Sequence, residues 1–354
     1  MKRILLIKLT SLGDLIHALP ALSDAHRAYP DIQFDWVVDE NFQEIATWHP
    51  AVNKVFTTNH REWRYGLLHQ ATYSAIYRLA KTLRKTKYDL VIDGQGNFKT
   101  ALLSLLMRGT TAGFDKYSVR ERIAHLAYKR GYRVAKSAHA VDRLRQLFAL
   151  SLGYPCPTTA PDFQIMRERF IQPSVELPSS YLVFVHNASW VTKLWPEEHW
   201  TALIEKTLDL GYHILLPWGN AAEEARAKRL AIAPNVHVLP RLSLSEMGYV
   251  IARARACVCM DTGLSHLTAA LNIPSITLYG ATDSGLIGAS GDNQLHIQSK
   301  LECAPCNKKE CRFPCVGGLN PPCLAQIQPE TVFRKLQESL NNSCEKLEPV
   351  VTVE

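Results

Sequence analysis

Residues 181–186 read YLVFVH, an apolar run closing on a histidine. A short apolar run of this kind reads as a strand buried on both faces. It opens a series. Further apolar runs at 213–217 (HILLP), 237–239, 257–260 and 275–279 alternate with amphipathic stretches at 197–210, 221–232, 244–255 and 266–271. Strands alternating with helices predict a parallel sheet wrapped by helices. The same alternation occupies the chain's first part. RILLIK (3–8), 33–38, 54–57 and YDLVID (88–93) read as strands, and 14–28, 98–108 and 139–152 as helices. Between 153 and 180 the pattern lapses. Pro155, Pro157, Pro161, Pro173 and Pro178 fall there, and proline fixes φ and removes a backbone donor. The chain is therefore expected to be α/β, with two βα domains in tandem. The expected boundaries are 1–160, a proline-rich linker at 161–180, a second domain at 181–325, and a helix (330–340) with a polar tail filling 326–354.

Composition narrows the class. The chain has 354 residues, 47% hydrophobic and 21% charged, as in soluble globular proteins with full-sized cores. Nine cysteines are too sparse for a disulfide scaffold and too odd in number for complete pairing, which suits a reducing compartment. The longest uncharged run, 262–282, is broken by Asn272 and Pro274, so no membrane span is expected. Lys8 and Asp14 interrupt the apolar N-terminal stretch, which argues against a secretion signal. A cytoplasmic location is expected. Residues 1–160 carry 23 Lys/Arg against 13 Asp/Glu, a balance of +10, whereas 161–354 carry 17 against 20, a balance of −3. The first half thus suits an anionic partner.

In open α/β sheets, ligands bind beyond the carboxyl ends of the strands, so the polar residues there are the candidates. After the first strand, KLTSLGDLIHALP (8–20) places Gly13 at a turn and Asp14 at a helix start. Asp14 reads either as a helix cap or as an ionised carboxylate able to take a proton from a hydroxyl. HNASWVTKLWPEEHW (186–200) offers Ser189, Thr192 and Lys193, a set suited to a diphosphate. LPWGNAAEE (216–224) places Glu223 near a strand end, either to bind ribose hydroxyls or to serve the dipole of the next helix. In MDTGLSHLTAAL (260–271), a strand ends in Asp261, and Thr262, Gly263 and Leu264 open a helix with His266 one turn in. A helix N-terminus of this kind is an anion site. No G-x-G-x-x-G fingerprint is present, which disfavours a nicotinamide dehydrogenase. Cys303, Cys306, Cys311, Cys315 and Cys323 follow in a C-x2-C-x4-C-x3-C-x7-C pattern. Cys303, Cys306, Cys311 and Cys323 are candidates for a structural zinc, with reduced packed thiols or disulfides as alternatives.

Together these stretches resemble the ADP-heptose:lipopolysaccharide heptosyltransferases. KLTSLGDLIHALPAL, FDWVVDE, YDLVIDGQG, HAVDR, WPEEHW, LPWG, EEARAKRLA, MDTGLSHLTAAL and PSITLYGATD carry the resemblance from about residue 1 to 290, nearest to the type I branch. The resemblance implies a GT-B fold, two Rossmann-like domains facing across a cleft. It implies inverting transfer of L-glycero-D-manno-heptose from ADP-heptose to Kdo of Kdo-lipid A, at the cytoplasmic face of the inner membrane, with no cofactor required. It assigns Asp14 as general base, and Ser189, Lys193, Glu223, Leu242, Asp261, Thr262, Gly263, Leu264 and His266 as donor-binding. Ala188 departs from a threonine frequent in type I enzymes, and Leu242 from a methionine beside the adenine. For an acidic acceptor, Gly13, Arg61, Arg64, Lys99, Arg120 and Arg122 are the candidates, since arginine pairs bidentately with carboxylate and phosphate. The alternatives are a type II heptosyltransferase or another nucleotide-sugar transferase, and, in a different class, a basic nucleic-acid-binding protein with a zinc-binding cysteine cluster. Basic residues here are not interleaved with aromatics as a nucleic-acid strand requires.

Overall fold

A computed structural model describes residues 2–59, 70–313 and 318–345. The chain divides into two compact units, residues 1–169 and 170–354. The proline-rich segment 161–180 is therefore shared between them, and it carries one short 3-10 turn, Arg167–Arg169.

The first unit holds strands β1 (Arg3–Ile7), β2 (Gln33–Asp39), β3 (Val52–Thr58), β4 (Leu90–Asp93), β5 (Thr110–Phe114) and β6 (Arg130–Tyr132). They form one parallel sheet in the order β3-β2-β1-β4-β5-β6. Both faces are covered. Leu5, Ile7, Val37 and Val91 pack with Leu83, Tyr88 and Leu103 on one side. On the other, Leu6 and Leu144 of helix Ala140–Leu152 flank Gly94, and Phe34 meets Phe148 of that helix at 5.8 Å between ring centroids. This two-sided burial is why the strands read as continuous apolar runs rather than alternating ones.

The second unit repeats the plan. Strands β7 (Tyr181–Val185), β8 (His213–Leu216), β9 (Val236–Val238), β10 (Ala256–Met260), β11 (Ser275–Tyr279) and β12 (Gln294–Gln298) lie in the order β12-β11-β10-β7-β8-β9. Numbered from its own first strand, this sheet has the same order as the first one, the doubly wound 3-2-1-4-5-6. The terminal helix, Pro329–Glu345, buries Val332, Leu336 and Leu340 in the core of this unit with Trp195, Trp200 and Leu278. It belongs to the second unit rather than to a separate tail.

Several boundaries differ from the sequence expectation for identifiable reasons. The single helix expected at 14–28 is two, Leu12–Ile16 and Leu19–Ala28. Pro20 lies in the first turn of the second helix, and without an N–H it cannot continue the ladder of the first. Strands β5, β6 and β12 were not anticipated, nor was helix Gln70–Leu83. β12 reads QLHIQ and β6 has only three residues. Both are edge strands, short and half-polar, so apolar periodicity does not mark them.

Candidate active site

In a doubly wound sheet, the strand order reverses between the first and fourth strands, and the loops that follow those two strands diverge and leave a crevice. In the first unit these strands are β1 and β4, and in the second β7 and β10. Asp14 follows the first strand at one of these points, and Lys193 and Asp261 follow the two strands at the other.

In the first unit, Asp14 lies in helix Leu12–Ile16, just past β1. Its Oδ2 accepts hydrogen bonds from the Ser11 amide at 3.0 Å and the Ser11 hydroxyl at 2.9 Å, so it does serve as a cap. Burial pushes its carboxyl toward protonation. The Lys8 ammonium, the two Ser11 bonds and the Arg120 guanidinium outweigh that and hold its pKa below the ordinary value. Asp14 is an ionised, half-buried carboxylate. Lys8 is buried beside it and donates to the Gly94 carbonyl at 3.1 Å. Burial lowers the Lys8 pKa, and the Asp14 and Asp93 carboxylates oppose the shift.

Asp93 closes β4. Burial raises its pKa, while its oxygens accept from the amides of Gln95 and Gly96, each at 2.9 Å, and from the Tyr128 hydroxyl at 2.7 Å. Gln95 reaches back to the Asp14 loop. Its Oε1 accepts from the amides of Leu9 at 2.6 Å and Thr10 at 3.2 Å, and its Nε2 donates to the Thr10 hydroxyl at 3.1 Å. Lys8, Asp93 and Gln95 complete this cluster and were not singled out from the sequence. The same rule, polar residues at a strand end, would have found them in RILLIK and YDLVIDGQG.

In the second unit, Asp261 follows β10 and is buried. Its Oδ2 lies 2.6 Å from Lys193 Nζ and accepts from the Thr282 hydroxyl at 2.5 Å. His266 Nε2 is 3.9 Å from Oδ1. Lys193 sits in the 3-10 turn Val191–Lys193 after β7, its ammonium 4.6 Å from the Trp190 ring centroid. Beside this pair, Thr262 caps helix Gly263–Ala270, whose first N–H groups have no intrahelical acceptor. A cation and a helix N-terminus therefore adjoin, a setting for a multiply charged anion. Thr282, just beyond β11, was missed in the sequence.

The other candidates lie on further loops and helices of the two units. Ser189 is exposed on the loop after β7. Thr192 is not free for a ligand, because it is buried and its hydroxyl donates to the Lys308 carbonyl at 2.6 Å. Glu223 follows β8 and accepts from the Gly219 amide at 2.8 Å, while its own amide donates to the Asn220 side chain at 3.0 Å. Leu242 is half-buried between β9 and helix Leu244–Ala252. Gly13 is buried inside helix Leu12–Ile16. Arg120 is exposed but close enough to Asp14 to act on its charge. Arg122 is exposed at the start of the 3-10 helix Arg122–Ala127, and Lys99 is half-buried on helix Phe98–Leu105. Arg61 and Arg64 lie outside the described residues.

Cys303, Cys306, Cys311 and Cys323 line one cavity of about 630 Å³ together with Thr192, Leu301 and Phe313. Among the described residues, no three side chains of metal-binding type are grouped to hold an ion. The zinc expectation thus gains no support from their placement, and Cys315 lies outside the described residues.

Two doubly wound sheets in tandem are the GT-B architecture, the one that glycosyltransferases of the matching family share. The chain belongs to glycosyltransferase family 9, the heptosyltransferases, whose sequence profile matches residues 76–316. It is 46% identical to lipopolysaccharide heptosyltransferase 1 of Pseudomonas aeruginosa, over 96% of this chain and 98% of the relative. The solved structure of E. coli heptosyltransferase WaaC with ADP superposes with a TM-score of 0.83 at 41% identity, over 95% of this chain and 99% of the other. WaaC with ADP-2-deoxy-2-fluoro heptose gives 0.81 at 40% identity, over 95% and 99%.

Proposed function

We propose that this chain transfers L-glycero-D-manno-heptose from ADP-heptose to a Kdo residue of Kdo-lipid A, with inversion at the anomeric carbon, in lipopolysaccharide inner-core synthesis. The observation that carries the reading is the Lys193–Asp261 pair beside the helix start at Thr262, at the reversal point of the second sheet. The ADP and ADP-2-deoxy-2-fluoro heptose bound to the solved relatives support the same donor.

Inversion needs one displacement. The acceptor oxygen attacks the anomeric carbon, the bond from that carbon to the diphosphate breaks, and ADP leaves with the electron pair. Lys193 and the amides at Thr262–Leu264 stabilise the charge that develops on the diphosphate. Ser189 and His266 stand beside it, Glu223 takes the ribose hydroxyls and Leu242 the adenine. Asp14 accepts the proton of the attacking hydroxyl. Its depressed pKa keeps it ionised at neutral pH but makes it too weak to deprotonate a free alcohol beforehand. The proton therefore moves as the new bond forms, when the oxygen has become acidic. Gly13, Lys99, Arg120 and Arg122, with Arg61 and Arg64, are the groups proposed for the acidic acceptor. None of these steps requires a cofactor.

Because the acceptor is a lipid, the enzyme works at the cytoplasmic membrane face. Among the described residues, no helix is long and apolar enough to cross a membrane. The test is ADP release from ADP-heptose with Kdo-lipid A, comparing the native chain with Asp14→Asn. Acceptor-dependent release that falls at least about a hundredfold in the variant supports both the activity and the base. Release that survives removes Asp14 from the role. No release from ADP-heptose refutes the donor assignment.

A further inference from the structure

Helix Phe98–Leu105 buries Ala101, Leu103 and Ser104 but leaves Phe98, Leu102 and Leu105 in solvent. Their spacing of four and three residues puts them on one helical face. The 3-10 helix Arg122–Ala127 packs against it and exposes Ile123 and Leu126, three residues apart and so on one face of a helix with three residues per turn. These five large apolar side chains are 48% to 73% exposed. Scattered exposed apolar residues are ordinary, but a cluster on two packed elements is not.

Basic residues predominate in the segment that carries this face. Residues 98–136 contain nine Lys/Arg and two Asp/Glu. Each acid accepts backbone hydrogen bonds. Glu121 accepts from the Phe98 amide at 2.8 Å, and Asp115 from the amides of Tyr117 and Ser118 at 3.0 and 2.8 Å. Arg108, Arg122, Lys129 and Arg130 are exposed. The face also adjoins the Asp14 cluster. The Glu121 amide donates to the Gly96 carbonyl at 3.0 Å, next to the Gln95 that braces the Asp14 loop, and Arg120 acts on the Asp14 charge.

We propose that this face of the first unit docks on an anionic lipid bilayer, with Leu102, Leu105, Ile123 and Leu126 entering the interfacial layer and Arg108 and Arg130 meeting lipid phosphates. An apolar surface ringed by cations is the chemistry that a negatively charged membrane surface selects. A protein partner would need no such excess of cations. The proposal rests on the lipid-linked acceptor of the reading above, and it gives the catalytic carboxylate a fixed approach to a sugar standing on the membrane.

The test is sedimentation of the full chain with vesicles of phosphatidylcholine alone, or with about 30 mol% phosphatidylglycerol added. The native chain is expected to partition at least about tenfold more strongly onto the anionic vesicles, and to lose that preference as salt screens it. Leu102→Gln/Leu105→Gln/Leu126→Gln should reduce binding at least about tenfold. Its thermal melt and its transfer to a deacylated, water-soluble Kdo acceptor should remain native, while transfer to vesicle-embedded acceptor falls. Ile123→Gln/Leu126→Gln, confined to the second element, repeats the test if the triple variant does not fold. Equal binding by native and variant chains, no preference for anionic vesicles, or a dimer that the substitutions dissolve would each overturn the proposal. Vesicle binding without transfer to either acceptor would support the docking face and overturn the heptosyl reading alone.

Discussion

Lys193 and Asp261, on the loops after the first and fourth strands of the second sheet, meet at 2.6 Å between Nζ and Oδ2. Asp261 is 4% exposed at its side chain and Lys193 13%, so the pair is largely removed from water, and the carboxylate holds the ammonium in place. Lys193→Met is expected to weaken ADP binding at least about tenfold, the value of one charge-assisted hydrogen bond. It should also cost about 2 kcal/mol of stability, because the buried Asp261 carboxylate loses its ammonium partner and keeps the Thr282 hydroxyl and the nearby His266 ring. Titration calorimetry with ADP and urea unfolding measure the two effects separately.

The titration of Asp14 sets an acid limit. Burial raises its pKa, but Lys8, Ser11 and Arg120 lower it further, and the net shift is downward. A carboxyl whose pKa is depressed on folding contributes stability that is fully present above its unfolded value. That contribution is lost as pH falls through the folded value. The stability difference between the native chain and Asp14→Asn should therefore hold steady at neutral pH and shrink only below about pH 4. The acid limb that Asp14 imposes on kcat/KM should likewise lie below that point. A limb near neutrality that disappears in the variant would contradict this assignment of charge.

Asp93 behaves in the opposite sense. Its pKa is raised by burial, so its ionisation opposes folding, and the stability it contributes falls as pH rises from the unfolded value through the folded one. Removing the side chain is still costly. Asp93→Ala strands the Gln95 and Gly96 amides and the Tyr128 hydroxyl, for a loss of about 3 kcal/mol or more. Tyr128→Phe, which removes a single donor, should cost about 1–2 kcal/mol. Denaturant midpoints of the two variants give the comparison, and an equal cost would show that the amides find other partners.

A buried ion pair with no part in the proposed chemistry offers a control. Arg145 grips Asp24 with two bonds, Nε to Oδ2 at 2.6 Å and Nη2 to Oδ1 at 3.2 Å, and both side chains are buried. Arg145→Met leaves a buried carboxylate without this partner and should destabilise by about 3–5 kcal/mol. Arg145→Met/Asp24→Leu should recover much of that loss, because two apolar groups carry no unpaired charge. Thermal unfolding of both variants measures the recovery.

The two tandem parallel sheets were legible in the sequence, because strands covered on both faces must be apolar throughout. YLVFVH and YDLVID announce themselves on that ground. The placement of Asp14, Lys193 and Asp261 at or just beyond strand ends was legible too, as was the charge imbalance between the halves. The motifs also carried the family.

Strand order was not legible. Which strand pairs with which is settled by long-range burial and hydrogen-bond ladders, and no local signal encodes it. Only the folded order puts β4 beside β1 and β10 beside β7, and so brings Gln95 to the Asp14 loop, and Lys193 to Asp261. The exposure of Leu102, Leu105, Ile123 and Leu126 is of the same kind. As apolar residues they carry no local mark of exposure, and only the packing of their two helices turns them to solvent.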